Sequence, residues 1–177
     1  MNVNDEEIKD IINFHCPRFS ELPQVPLYKD QVIYYIEQEL GPININKTEK
    51  LLTPTMLNNY VKQKVIYPPK NKKYDQYHLA YLVVVCIFKQ IFSLSEVCEL
   101  IQYQISICST EHAYNTFCEE IEMALKSVFK TRDFTEANSK NNESIGNEIL
   151  RSAVMCFANK VYIQKFLKDR TNKDKKM

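Results

Sequence analysis

The sequence predicts an all-helical protein, on three observations. Glycine occurs only at Gly41 and Gly146 in 177 residues, and tight hairpins and phosphate loops lean on glycine for positive φ and close backbone approach. Apolar residues, at 45% of the chain, recur at helical rather than alternating spacing. Cap residues stand in front of several of these apolar runs. Together they argue against many-stranded sheets, P-loops and dinucleotide-binding turns.

Residues 4–15 read as a short helix with Asn4 as N-cap and Glu7 three residues later. "CPRFSELPQVP" (16–26) holds three prolines and reads as an extended connector. A helix over about 28–40 follows, with Val32, Ile33, Ile36 and Leu40 near helical spacing after Leu27, and Gly41-Pro42 stops it. "PININKTEK" is a polar linker. Thr53 as N-cap and Pro54 in the first turn open a helix over 54–65. Its apolar face is Met56, Leu57, Tyr60, Val61 and Val65; its polar face is Thr55, Asn58, Asn59, Lys62 and Gln63.

Tyr67-Pro68-Pro69 ends that helix. "KNKKYDQY" reads as a basic loop with room for a short hairpin, and a buried helix over about 75–91 comes next. Ser93 and Glu96 form a capping box for a helix with Leu94, Val97, Cys98, Ile101 and Ile105 on one stripe. Helices over about 110–130 and 145–168 flank the polar linker "TRDFTEANSKNNES". The expected organisation is an N-terminal helix and connector (1–24), a central unit whose element order is that of a winged helix-turn-helix (25–107), a C-terminal helical part (108–170) and a frayed tail (171–177).

Charge is distributed unevenly. Net charge is +1, yet residues 47–89 hold eight lysines against Glu49 and Asp75, leaving that segment at +6 and the remainder at −5. Val61 to Lys73 contains five lysines and no acid. A basic segment attracts phosphate through Coulomb attraction and counterion release; a merely solvated lysine loop is the plain alternative. The order of elements favours the former. A short helix with an Asn/Lys outer face, a Pro-terminated basic loop and a buried helix follow each other as the recognition helix, wing and supporting helix of a winged helix-turn-helix do, with residues 28–40 as its first helix. Asn can pair with adenine edges and Lys with phosphate or guanine. The expected DNA-binding residues are Thr55, Asn58, Asn59, Lys62, Gln63, Lys64, Lys70, Lys72 and Lys73, with 54–65 as recognition helix and 67–74 as wing.

The stretch from Thr55 to Ile101 resembles the DNA-binding half of the MerR regulators at Tyr60, Val65-Ile66, Pro68, Tyr74, His78-Leu79, Phe92-Ser93-Leu94 and Glu96-Val97. It departs from them in carrying Asn58 where they have arginine, Lys64 where a glycine ends their helix, and a longer connection, "GPININKTEK", between the first two helices. "LPQVPLYKDQV", "LTPTMLNNYVK" and "YDQYHLAYL" to "SLSEV" are more similar to a bacterial domain-of-unknown-function family, number 1836, over roughly 20–105. The resemblance implies a MerR-like winged helix-turn-helix with a helical C-terminal extension, in a transcriptional regulator. Arginine stands only at 18, 132, 151 and 170, so guanine forks are missing from the basic segment, which points to an A·T-leaning site or to weak readout.

The remaining chemistry is sparse. Six cysteines with no C-x-x-C pair read as free, mostly buried thiols, and a zinc site around His15 and Cys16 is a weaker alternative. The acidic start "MNVNDEEIKD" is no signal peptide, and the longest apolar run is too short to span a bilayer. The expected setting is therefore the cytoplasm, with no membrane partner. His15, His78 and His112 assemble no catalytic set; His78 reads as structural, and no cofactor, metal or enzymatic activity is expected. The tyrosines at 28, 34, 35, 60, 74, 77 and 81 read as packing residues; a contact from Tyr67 or Tyr74, which flank the basic loop, to a sugar or base is the weaker alternative. Double-stranded DNA is the expected partner, and an effector goes unnamed. A homodimer is expected through the C-terminal helices, on stripes that include Phe117, Ile121, Leu125, Phe157 and Phe166; the alternative is that these stripes pack on each other and on residues 79–101. The rival function is a protein interaction module whose basic face binds an acidic partner; a hydrolase or transferase is more remote.

Overall fold

The computed structural model describes residues 6–133 and 145–174, with side chains through residue 168. Its described part is mostly helical, as expected, but not all-α. The helices are α1 (Glu6–Ile12), α2 (Lys29–Leu40), α3 (Pro54–Lys62), α4 (Gln76–Phe88), α5 (Leu94–Ile107), α6 (Thr110–Lys126) and α7 (Ile145–Asp174). The strands β1 (Leu27–Tyr28) and β2 (Lys73–Tyr74) pair antiparallel, with Leu27 opposite Tyr74 and Tyr28 opposite Lys73. This sheet is the correction to the all-helical expectation. Two residues per strand leave no alternating pattern to detect, and their partners lie far apart in sequence.

Local capping explains most helix starts. Thr53 Oγ1 accepts from the Met56 N–H at 3.2 Å. Asp75 accepts from the His78 N–H at 3.1 Å. Ser93 and Glu96 close the expected box, with the Ser93 N–H donating to Glu96 at 2.8 Å and the Glu96 N–H to Ser93 Oγ at 3.3 Å. The Asn4 cap lies outside the described residues, as do 134–144 of the expected polar linker. α7 runs past the expected end at 168, through Asp174.

α4 is buried on nearly every side, from His78 through Phe88. One continuous core runs from Ile8 on α1 to Val161 on α7 and includes Leu57 and Tyr60 from α3. The proline-rich connector is fastened to α6 rather than hanging free. The Tyr114 hydroxyl donates to Pro17 O at 2.8 Å, Asn115 accepts from the Phe19 N–H at 2.8 Å, and Glu122 accepts from the Cys16 N–H at 2.9 Å and pairs with Arg18 at 2.8 Å.

The expected dimer stripe is a packing stripe. Phe117, Ile121, Leu125 and Phe157 are buried within the chain, because α6 and α7 pack on each other; Phe166 alone of that set is exposed. The tyrosine expectation also divides. Tyr60 and Tyr74 are buried, Tyr35 and Tyr81 half-buried, but Tyr28, Tyr34 and Tyr77 are exposed. All six cysteines are free; Cys16, Cys86 and Cys118 are buried, Cys98 and Cys108 half-buried, and Cys156 is exposed. No described helix is long and apolar enough to cross a membrane.

Candidate nucleic-acid interface

α3 presents the two faces its sequence requires. Leu57 and Tyr60 are buried, whereas Thr55, Asn58, Asn59 and Lys62 are exposed. The helix stops at Lys62, short of the expected 65. Its end has the bonding pattern of a Schellman motif: the Val65 N–H returns to Tyr60 O at 2.8 Å and the Lys64 N–H to Val61 O at 3.1 Å. Lys64 takes the left-handed position, at φ 60°. Glycine favours that conformation because a Cβ is strained there. Val65 and Ile66 then turn inward and are buried, leaving Gln63 and Lys64 exposed.

The basic loop closes as a tight turn. Asn71 and Lys72 both have positive φ, 52° and 62°, and the Lys73 N–H donates to Lys70 O at 3.0 Å. Positive φ at both central residues is the type I′ turn that suits the twist of antiparallel strands. Asn71 suits its place, while Lys72 stands where glycine is preferred. Lys70 and Lys72 are exposed; Lys73 is half-buried, and its Nζ lies 4.8 Å from the centre of the Tyr28 ring. Tyr28, on β1, is a contributor that sequence reasoning placed in the core. Its pairing with Lys73 is a long-range contact that no local pattern announces.

A polar cluster holds the base of this turn. His78 is buried; its Nε2 donates to Tyr67 O at 3.1 Å and its Nδ1 lies 2.7 Å from Asp75 Oδ1. The Tyr67 hydroxyl donates to Asp75 at 2.9 Å, and the Tyr67 ring packs tilted against the His78 ring, with centroids 3.9 Å apart and planes at 48°. Partial burial works to raise the Asp75 carboxyl, but hydrogen bonds from the His78 backbone, Tyr67 and His78 outweigh it and leave the pKa lowered. Burial and the hydrogen bond to Asp75 push the Tyr67 phenol upward. Tyr67 is exposed yet already bonded, and Tyr74 is buried. Of the two tyrosines flanking the loop, only Tyr67 keeps an accessible ring.

Of the nine expected site residues, eight are exposed and Lys73 is half-buried. They form two groups, Thr55 to Lys64 on α3 and Lys70 to Lys73 on the turn. Five residues separate Lys64 from Lys70, so the chain limits their Cα atoms to about 20 Å apart. Among the described residues the ammonium groups of Lys62, Lys64, Lys70 and Lys72 meet no carboxylate. The +6 segment is not all one surface. Lys89 donates inward to Leu51 O, and Lys47 donates to Gly41 O at 2.7 Å.

A family model for a domain of unknown function, DUF1836, matches residues 17–117. The chain belongs to the DUF1836 family. The match takes in the connector, the sheet, α2 to α5 and the first part of α6, and leaves α1 and α7 outside. No curated protein and no solved structure matches the chain. Elsewhere, an apolar cleft between α4, α5, α6 and α7 is lined by residues such as Val84, Phe88, Ile101, Phe117 and Leu150. No charged side chain lines it. Among the described residues no group of three or more His, Cys, Asp or Glu side chains gathers into a metal-binding set.

Proposed function

We propose that this DUF1836 protein binds double-stranded DNA in a sequence-specific way and acts in transcriptional control, without catalysis. In this reading α2 and α3 form a helix-turn-helix, α3 lies in the major groove, and residues 67–74 are a MerR-like wing on the flanking backbone. One observation carries it. Asn58, Asn59 and the four lysines at 62, 64, 70 and 72 are exposed, and among the described residues none of those lysines forms an ion pair. The short chain between the groups keeps both within one turn of a duplex, about 34 Å. The residues divide by chemistry. Lys70 and Lys72 on the rigid turn suit phosphate, which positions, while the Asn58 and Asn59 amides suit adenine edges, which specify.

Selection from random duplexes followed by a salt titration tests this. Log affinity is expected to fall linearly with log salt, with a slope near −0.9 per phosphate contact and about three to five contacts per chain. Asn58→Ala should cost roughly 1–3 kcal/mol on the selected site and little elsewhere; Lys72→Ala with Lys73→Ala should weaken every duplex alike. No duplex affinity at low salt, or equal losses from both changes on every sequence, defeats the reading.

A further inference from the structure

The basic turn has little of its own to hold it in shape. Residues 70–73 carry three lysines in four positions, and Asn71 and Lys72 lie on left-handed backbone. Like charges repel, and a Cβ is strained in that conformation. From the side of α2 the turn is held by the two residue pairs of β1 and β2, and a two-stranded pairing is marginal by itself. From the side of α4 it is held by His78, whose side chain meets both ends of the segment 67–75. Nε2 donates to Tyr67 O at 3.1 Å, where the chain leaves α3, and Nδ1 accepts from the Asp75 N–H at 3.1 Å, where it enters α4. The Tyr67 and Tyr74 rings pack against the imidazole, with centroids 3.9 and 5.3 Å away. His78 is only 2% exposed. A leucine or phenylalanine would fill such a place without burying two ring nitrogens, which is costly unless both are bonded. Here the bonds go to the two ends of the segment that carries Lys70, Lys72 and Lys73.

We infer that His78 is a positioning residue for the basic turn: it clamps residues 67–75 at their base and so fixes where Lys70 and Lys72 stand relative to α3. The inference deepens the DNA-binding reading and rests on it for its effect on binding, while the clamp itself can be measured without nucleic acid. α3 is fixed separately, through buried Leu57 and Tyr60. Loss of the clamp therefore frees the turn lysines and leaves Asn58 and Asn59 where they are. Phosphate contact and base reading then come apart in one variant.

His78→Phe keeps an aromatic ring and removes both bonds; His78→Gln keeps a donor for Tyr67 O. Without nucleic acid, the Lys73 amide, which donates to Lys70 O at 3.0 Å, is expected to exchange its hydrogen about tenfold faster in His78→Phe. The Gln63 amide, bonded to Asn59 O at 2.8 Å on α3, keeps its rate. With a selected duplex, the slope of log affinity against log salt should shrink by about 0.9 for each of Lys70 and Lys72. Preference for that duplex over others should stay as in wild type, and His78→Gln should recover part of both losses. A role confined to stability would lower the urea midpoint and leave the slope of the folded protein alone. Unchanged Lys73 exchange, an unchanged slope, or a glutamine variant no better than phenylalanine overturns the inference. If His78→Phe does not fold, His78→Gln against wild type gives the same two readouts. A wild-type chain that binds no duplex defeats the DNA-binding reading, and the exchange rates still decide whether His78 holds the turn.

Discussion

The cations on α3 and its following turn differ from those at the connector and on the inward side of α7 in what they face. Arg18 meets Glu122 at 2.8 Å, Arg151 meets Glu120 at 3.1 Å, and Lys165 and Lys168 meet Glu7 at 2.7 and 2.8 Å. Each of these pairs joins segments distant in sequence, so the charge is spent on holding the fold together. Among the described residues, Lys62, Lys64, Lys70 and Lys72 form no ion pair. Two of them also occupy left-handed backbone where glycine would be less strained. Lysine there costs the fold some stability and adds no contact within the chain. That contrast separates structural charge from charge facing outward.

The largest expected effect on the structural side comes from Glu122→Ala. Glu122 accepts from the Cys16 N–H, pairs with Arg18 and lies 3.2 Å from His15. Removing it leaves the Cys16 N–H without its acceptor and Arg18 without its carboxylate, although Arg18 still donates to Cys16 O at 2.6 Å, at a cost of about 1–3 kcal/mol. Urea denaturation should show that loss, while duplex affinity of the folded fraction stays at the wild-type value. A large fall in affinity without a fall in stability would erase the distinction between the two kinds of charge.

Lys64→Gly and Lys72→Gly sharpen the contrast because their two readouts should move in opposite directions. Glycine relieves the left-handed strain, and each change should stabilise the fold by about 0.5–1 kcal/mol. Each also removes one cation, so the salt slope should shrink by about 0.9 per lysine that touched phosphate. Greater stability together with unchanged binding would mean that the lysines are solvated bystanders.

These two lysines also show where sequence reasoning stops. Thr53, Asp75 and Ser93 act on backbone groups three residues away, so their caps could be read directly. The polar face of α3 was legible for the same reason. Lys64 could not announce a helix end, since lysine is an ordinary helix former and only the tertiary demand to bury Val65 and Ile66 forces the turn. Leu27 and Tyr74, paired across the strands, lie 47 positions apart (74 − 27), far beyond any local window. α7 reads as one broad apolar helix. Which of its stripes is covered depends on where α6 packs, which is why Phe157 is inside and Ile163 is not.

The smallest expected effect is a pH dependence at Glu7 on α1. Hydrogen bonds from Lys165 and Lys168, the first being the stronger cause, hold the Glu7 carboxyl down at about 2, against an ordinary 4.5. A carboxyl whose folded pKa lies below its unfolded value binds more protons when unfolded, so its contribution is complete above pH 4.5. It is lost progressively as pH falls through 4.5 towards 2. Both Glu7 and Lys168 are substantially exposed, so salt screens the pair and the gain is modest. Urea midpoints compared between pH 6 and pH 3 should fall more for wild type than for Glu7→Gln, and the gap should narrow in about 1 M salt. Salt should also weaken duplex binding, but there it acts through counterions on the nucleic acid. Glu7→Gln should therefore leave the slope of log affinity against log salt unaltered. Equal pH dependence in the two proteins would show that the lysines do not hold Glu7 ionised in solution. A changed binding slope would instead show that the paired cations of α7 also reach the duplex, and the division between the two regions would fall.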